Sequence, residues 1–202
     1  QAAGHAHVDV WASDVDLITV SAHNLGGPKG AGFLYIKKGV LPDKLIEGGH
    51  QERSMRGGTT NVAAVVGMAE AFALSAAEME RNNALAAAAK DAFAGHVISN
   101  VPDVRENCAS SPRLPHIVNF TFFGVNGDAL VQSLDLAGIA CSLGSACSSG
   151  SLEPSHVLTA IGMPESEARS SVRFSFGPGV TVDDAVYAAG VLADTVRRLR
   201  GR

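Results

Sequence analysis

The fold is decided by the stretch Asp16-Leu-Ile-Thr-Val-Ser-Ala-His-Asn-Leu-Gly-Gly-Pro-Lys-Gly-Ala-Gly-Phe-Leu-Tyr-Ile36. Its two ends, 16–20 and 32–36, are short apolar runs of β-branched and aromatic residues, and each predicts a strand. The part between them, 21–30, contains too much glycine and proline to form a helix. A strand, a polar loop and a second strand bring side chains to a sheet edge, which is where α/β proteins bind their ligands.

A second glycine-rich loop, 48–60, leads into a long helical region. From Asn61 to about His96 the residues are mostly strong helix formers without a proline, which predicts one long helix or two joined near Asn82-Asn83.

After Asn100 the pattern predicts strand, helix, strand, helix, strand, helix. The segments are His116–Phe122, Asp128–Leu136, Ile139–Leu143, Pro154–Ile161, Ser171–Phe176 and a last helix that Thr181 and Asp184 begin with a variant capping box. This order favours an α/β or α+β domain. We place a boundary inside the long helical region, so that residues 1–78 form one domain and residues 79–202 form a small C-terminal domain.

Composition and charge exclude several classes of protein. With 46% hydrophobic and 18% charged residues, the 202-residue chain has the composition of a folded protein. The formal charge of −4, with no Lys/Arg stripe before the terminal arginines, argues against direct binding to nucleic acid. The three cysteines form no CxxC motif, so neither a disulfide framework nor a zinc ribbon is indicated, and we expect a reducing, cytoplasmic setting.

No membrane partner is expected, because no apolar run approaches the roughly 18 residues of a membrane span. The first residues also lack the pattern of an export signal. The chain opens without Met, and we expect it to be the later part of a longer protein.

Cys147 has the most reactive surroundings of the three cysteines. It lies among small and polar residues in Leu143-Gly-Ser-Ala-Cys-Ser-Ser-Gly-Ser151, a setting that favours an accessible thiolate, and an inert structural cysteine is the alternative. For Cys141, in an apolar segment, and Cys108, in a polar loop, the structural interpretation is favoured.

Two polar segments are suited to binding an anion, and each also has a structural interpretation. Ser21 and His23 follow a strand, where they could face an anion or only cap the loop. Residues 56–60 precede a helix, whose free N–H groups could bind an anion while Thr60 or Asn61 caps it.

Arg173 alternates with apolar neighbours in a predicted strand. It is either a solvent-exposed side chain or a clamp for a carboxylate, which the planar guanidinium matches in shape. No metal is expected, because His5-Ala-His7 has no third ligand nearby.

Taken in order, four motifs resemble those of the pyridoxal-phosphate-dependent cysteine desulfurases of group I, the NifS/IscS type. They are Ser21-Ala-His-Asn-Leu-Gly-Gly-Pro-Lys-Gly30, Gly48-Gly-His-Gln-Glu-Arg53 with Met55-Arg-Gly-Gly-Thr59, Gly144-Ser-Ala-Cys147 with Ser151-Leu-Glu-Pro154, and Ser171-Val-Arg-Phe-Ser175. The resemblance runs from Gln1 to the end of the chain. It implies an α/β fold: the end of a PLP-transferase fold type I large domain, then a smaller α/β (α+β) domain that carries the loop of the persulfide cysteine.

The resemblance also implies residue roles. Cys147 matches the thiol that takes sulfur from L-cysteine as a persulfide, leaves L-alanine, and passes the sulfur to an acceptor protein for iron–sulfur assembly or nucleic-acid thiolation. Arg173 matches the arginine that pairs with the carboxylate of the substrate. The residues matched to contacts of pyridoxal 5′-phosphate are Gln1, Ser21, His23 and Thr59, the last of these across the interface of a homodimer.

Two departures from the family pattern change the expected activity. Asn24 stands where the family has the lysine that holds the cofactor as a Schiff base and moves the Cα proton, and an amide does neither. Lys29, in a Gly-Pro-Lys-Gly turn that the family shares, is expected to be structural. The N-terminal half of the family fold is missing from the chain and is expected as a partner.

We therefore expect a cysteine desulfurase that is inactive or impaired. Two alternatives remain. One is a non-catalytic sulfur-carrier or partner-binding homologue. The other is an aminotransferase-like enzyme that acts on another small amino acid.

Overall fold

The structure, a computed structural model, describes residues 2–144 and 153–201. The chain divides into two compact units, Gln1–Glu80 (unit 1) and Arg81–Arg202 (unit 2). Both units combine helices with strands, so the chain is a mixed α/β protein.

Unit 1 contains a two-stranded antiparallel sheet. Strand β1, Leu17–Ser21, pairs over its whole length with β2, Gly32–Ile36, which confirms both predicted strands. The loop between them holds one 3₁₀ turn, Ala22–Leu25, so the prediction of a helix-free loop is wrong at this turn. The turn ends at Gly26, whose φ of 78° is a left-handed conformation that glycine adopts without strain.

Helix α1, Val62–Asn100, is one continuous helix of 39 residues rather than two. Glycines let the loop after β1 lie directly on it. A Cβ atom at Gly67 would stand 2.8 Å from Cγ of Pro28, and one at Gly27 would stand 3.1 Å from Cβ of Ala71. Larger side chains at either glycine would push this loop away from the helix.

Helix α1 is long and apolar enough to cross a membrane, judged by length and composition alone. This corrects the expectation that no stretch approaches a membrane span. The core helix of a folded protein passes the same test when it is mostly buried, but only 11% of this apolar window is buried. Elsewhere in α1, Phe93 and Val97 are buried in the core of unit 2. A single helix of this kind is weak evidence for a membrane protein.

Unit 2 contains a three-stranded antiparallel sheet in the order β3-β4-β5. Its strands are β3, Val104–Glu106; β4, Ile117–Phe122; and β5, Ser171–Ser175. Strands β4 and β5 confirm their predictions. Strand β3 has no counterpart in the sequence analysis, because three residues are too few to show an alternating pattern.

Four further helices lie in the described part of unit 2. They are α2, Gly127–Leu136; α3, His156–Ala160; α4, Glu165–Ala168; and α5, Val182–Leu199. Helix α4 was not predicted, and α3 is shorter than its prediction. The capping box of α5 is confirmed: the Thr181 hydroxyl accepts from the Asp184 backbone, and the Asp184 carboxylate accepts from the Thr181 backbone.

The predicted strand Ile139–Leu143 is wrong. The backbone N–H of Ile139 donates instead to Leu134 O at the end of α2, and the Ser142 hydroxyl closes a turn with Gly144 O. Only one isolated bridge remains, in which the backbones of Ser142 and Arg173 exchange hydrogen bonds.

The core of unit 2 lies on one face of its sheet. Alternate residues of β4 and β5 point into it, because successive side chains of a strand face opposite sides. The buried set includes Phe93 and Val97 of α1, Val118, Phe120 and Phe122 of β4, Leu130 and Leu134 of α2, Val172 and Phe174 of β5, and Ala189, Leu192 and Val196 of α5.

Candidate functional site

Ser21, His23 and Asn24 lie together where β1 ends. Ser21 precedes the 3₁₀ turn but its side chain does not cap it, so the plain capping interpretation does not hold here. His23 is exposed, whereas Ser21 and Asn24 are half-buried. The hydroxyl and the imidazole therefore remain available to an anion at this edge of the sheet.

Thr59 is exposed in the loop that leads into α1. Glu52 braces this loop, since its carboxylate accepts from Nη2 of Arg56 at 3.4 Å and from the Thr60 hydroxyl at 3.2 Å. Asn61 caps the helix, because its Oδ1 accepts from the Ala64 backbone at 3.2 Å. Of the two candidate caps, Asn61 has that role, and the Thr60 hydroxyl instead donates to Glu52.

The backbone in this brace is unusual. Glu52, Arg53 and Ser54 all have positive φ, at 48°, 57° and 66°. Consecutive left-handed residues other than glycine are costly, and the bonds of Glu52 help to hold the turn. No pattern in the sequence signals this brace, which the sequence analysis missed.

Arg173 lies in β5, in unit 2. Its neighbours Val172 and Phe174 are buried in the core, so the Arg173 side chain lies on the opposite face of the sheet. Its Nε atom is buried and has no hydrogen-bond partner in the described residues. A buried donor without an acceptor is expensive unless a ligand satisfies it, which favours the carboxylate clamp over a solvent-exposed arginine.

Two of the three cysteines belong to the described residues. Burial, and to a lesser extent the charge of Asp135, raises the pKa of Cys141 to about 11, so this side chain stays a thiol at neutral pH. Cys108 is exposed in the loop after β3. Cys147 and Gln1 fall outside the described residues, so their predicted roles stay predictions.

The predicted site residues divide between the two units. Ser21, His23, Asn24 and Thr59 belong to unit 1, and Arg173 belongs to unit 2. Within residues 2–144 and 153–201, no group of three or more His, Cys, Asp or Glu side chains could hold a metal ion.

Comparisons with known proteins all lead to one family. The sequence profile described as Aminotransferase class-V matches residues 1–187. The chain is 44% identical over 200 residues to "Cysteine desulfurase IscS" of Dictyoglomus turgidum, covering 99% of this chain and 51% of the relative. It is 45% identical over 200 residues to "Putative cysteine desulfurase IscS 1" of Bacillus subtilis, covering 98% of this chain and 53% of that relative.

A solved structure titled as a NifS-like protein superposes with a TM-score of 0.86 at 27% identity, over 98% of this chain and 51% of the other. The chain thus spans about half the length of the curated relatives that it matches.

Proposed function

Because the chain belongs to the aminotransferase class-V family, as a homologue of the IscS-type cysteine desulfurases, we propose that it serves cysteine desulfuration. In this reaction the C–S bond of L-cysteine breaks, the sulfur joins the Cys147 thiol as a persulfide, and L-alanine leaves. The reaction needs no external oxidant, because the transferred sulfur is oxidised as the S–S bond forms while the substrate Cβ is reduced. That carbon exchanges its C–S bond for a C–H bond as it takes up a proton.

Arg173 carries the proposal. The carboxylate of the substrate would accept from its buried Nε, which has no partner in the described residues. A charge-assisted bond of this kind orients an amino acid as well as binding it. The position of Arg173 in the fourth family-like motif supports the same role.

The donor set at the end of β1 fits the phosphate of pyridoxal 5′-phosphate, the cofactor that this family uses. The Ser21 hydroxyl is not taken by a cap, and the His23 ring is exposed beside it. Thr59, and Gln1 outside the described residues, would add contacts. When bound, the cofactor supplies an electron sink for the carbon atoms next to the amino group.

The same site lacks the group that would hold the cofactor covalently. The Asn24 carboxamide has no nucleophilic amine and cannot accept the Cα proton. We therefore propose that this form is inactive or strongly slowed, although binding of the phosphate and of the substrate carboxylate is retained.

The partners belong to the same proposal. A sulfur-acceptor protein would take the persulfide sulfur, either for iron–sulfur assembly or for nucleic-acid thiolation. A second copy of the chain would face Thr59, and the proposed compartment is the cytoplasm.

The test uses three forms of the chain, the natural one, Asn24→Lys and the matched amide control Asn24→Gln. Each is mixed with pyridoxal 5′-phosphate, L-cysteine and the N-terminal half of the Dictyoglomus turgidum relative. We expect L-alanine and a Cys147 persulfide to form at least about a hundredfold faster with Asn24→Lys, since a positioned acid–base group contributes roughly that much. Equal rates in all three forms would refute the impairment, and no L-alanine from Asn24→Lys would refute the desulfurase.

A second candidate function is a sulfur carrier without cofactor chemistry, and Asn24 is the observation that favours it. Here a separate cysteine desulfurase would load Cys147. We expect intact mass to show one added sulfur atom on the natural chain when the only pyridoxal 5′-phosphate present is bound to the donor enzyme, and none on Cys147→Ser. Equal loading of both forms would exclude a specific carrier role.

A further inference from the structure

The sheet of unit 2 buries polar side chains on the face opposite its core. Thr121 of β4 and Ser171 of β5 are fully buried, and Asn107, just after β3, is buried as well. Burying such groups costs free energy unless each finds a partner. A network of this size in a small sheet therefore needs an explanation.

The network ends at Asn119. Nδ2 of Asn107 donates to Oδ1 of Asn119 at 2.6 Å and to the Thr121 hydroxyl at 2.9 Å. The hydroxyls of Thr121 and Ser171 are 2.8 Å apart, and Ser171 donates to Glu167 O at 2.8 Å. Asn107, Thr121 and Ser171 each find partners inside this network, so the bond from Asn107 holds the Asn119 carboxamide in place through its Oδ1.

The strand register places Asn119 opposite Arg173. Phe122 donates to Ser170 O, and in an antiparallel pair such bonded positions alternate with non-bonded ones. Phe122 and Ser170 are a hydrogen-bonded pair, and Asn119 and Arg173 lie three positions along the ladder from them. Asn119 and Arg173 are therefore a non-hydrogen-bonded pair, the kind in which the side chains come closest. The Arg173 backbone bonds instead to Ser142 on its other side.

Two donors are thus left side by side on one face. Oδ1 of Asn119 is occupied by Asn107, while its Nδ2 bonds to nothing within the described residues. Nε of Arg173 is buried and has no partner there either. Two donors cannot satisfy each other, but both can donate to the same carboxylate.

We infer that Asn119 and Arg173 form a two-residue clamp for the carboxylate of a small amino acid, and that Asn107 is the positioning residue that fixes Asn119. This inference rests on the proposed function for the identity of the amino acid, L-cysteine. It adds a second substrate-binding residue and explains why the network is buried.

The test follows the Arg173 Nε–H signal by NMR in the full chain, assigned by its loss in Arg173→Lys. Acetate and L-cysteine are titrated in separate experiments. We expect Asn119→Ala to weaken binding of both about tenfold, the usual size of one lost hydrogen bond to a charged group. Asn119→Asp keeps the acceptor for Asn107 but brings a negative oxygen to the clamp, so we expect it to weaken binding of acetate and L-cysteine more than Asn119→Ala does.

Thr121→Val is the matched control, because it removes a buried hydroxyl from the same face of the sheet but leaves the 2.6 Å bond from Asn107 to Asn119 in place. We expect it to lower the melting temperature while acetate binding stays within about twofold. An equal loss in Thr121→Val and Asn119→Ala would show a merely structural role and overturn the clamp. Unchanged binding in Asn119→Ala and Asn119→Asp, or no Arg173 response in the natural chain, would also overturn it.

A failure of the proposed desulfurase function can be told apart from a failure of the clamp. If Asn24→Lys forms no L-alanine while acetate still moves the Arg173 signal and Asn119→Ala weakens that response, the desulfurase is refuted and the clamp stands.

Discussion

Unit 1 and unit 2 differ in how completely they bury their own apolar side chains. In unit 2 the Phe93 ring packs against Phe120 and Phe174 at centroid distances of 6.4 and 4.7 Å, at the centre of a continuous core. In the described part of unit 1, the only buried hydrophobic residues are Ala22, Met68 and Met79.

Unit 1 also exposes large apolar side chains. Trp11 is 86% exposed, Leu41 93% and Leu45 92%. Since folding free energy comes mainly from apolar burial, we expect it to be concentrated in unit 2, while unit 1 depends on the pairing of β1 with β2 and on close packing at its glycines. The two units should therefore respond differently to the same kind of mutation.

The largest effect is expected from Phe93→Ala. Phe93 is 1% exposed, and its removal leaves a cavity that should lower the free energy of unfolding by about 3–5 kcal/mol. Urea unfolding followed by far-UV circular dichroism measures this loss. Hydrogen exchange of the backbone amides of β1 and β2 follows unit 1 in the same samples.

Phe72→Ala is the matched control in unit 1. Phe72 is 43% exposed and contacts Phe33 edge-to-face at 5.9 Å, so its loss should cost only about 1 kcal/mol. Equal losses for Phe93→Ala and Phe72→Ala would show that the two units are equally dependent on apolar packing.

The second prediction concerns the thiol beside the core of unit 2. Burial raises the pKa of Cys141 from 9.0 to about 11, so at pH 8 the thiolate should be about a hundredfold scarcer than for an ordinary thiol. Iodoacetamide should modify exposed Cys108 well before Cys141, which peptide mass spectrometry measures. In urea Cys141 should lose this protection, and equal folded-state rates would refute it.

The raised pKa of Cys141 also makes the stability of the protein depend on pH. The folded state favours the neutral thiol, so the unfolded chain loses its proton first as the pH rises. The contribution of Cys141 is fully present below about pH 9 and decreases between pH 9.0 and about 11. Cys141→Ala should remove this part of the alkaline slope in urea titrations.

The sequence was sufficient for the elements with strong local signals. Strands β1, β2, β4 and β5 follow from alternation or apolar runs, and α5 follows from its capping box. The segment Ile139–Leu143 was mistaken for a strand because its apolar residues pack against the core as an irregular chain. Local pattern cannot show whether a segment finds a ladder partner.

For the candidate site, the sequence identified residue types but not their connections. Arg173 was open to two interpretations, and only its buried Nε favours the clamp. Asn119 and Asn107 were missed because their bond joins residues that are neighbours only after the sheet has formed. Such pairs depend on strand register, which no single segment reveals.

A smaller effect is expected at the start of α5. Thr181→Ala removes the hydroxyl that accepts from the Asp184 backbone at 3.1 Å, which should cost about 1 kcal/mol. Asn126→Ala, which removes the cap of α2, should cost a similar amount. A loss in Thr181→Ala below a few tenths of a kcal/mol would show that the box adds nothing to unit 2.

The capping box of Thr181 and Asp184 also predicts that the stability of the protein depends on pH. Bonds from the Thr181 side chain and backbone lower the pKa of Asp184 below 3.8. The stabilisation is therefore present above pH 3.8 and is lost as the pH falls through the lower folded value. In Thr181→Ala this acid slope should be shallower than in the natural chain.

The smallest effect is expected at the left-handed turn of unit 1. Arg53→Gly relieves a φ of 57°, worth roughly 1–2 kcal/mol, but glycine makes the unfolded chain more flexible by about 0.5–1 kcal/mol. The net gain should be about 0–1.5 kcal/mol, visible in the hydrogen exchange of the β1 and β2 amides and absent from the transition of unit 2. Glu52→Gly is the control, because it relieves a similar φ of 48° but also removes the bonds to Arg56 and Thr60. If Glu52→Gly stabilised unit 1 as much as Arg53→Gly, the carboxylate would not brace the Thr59 loop, and strain alone would explain the difference.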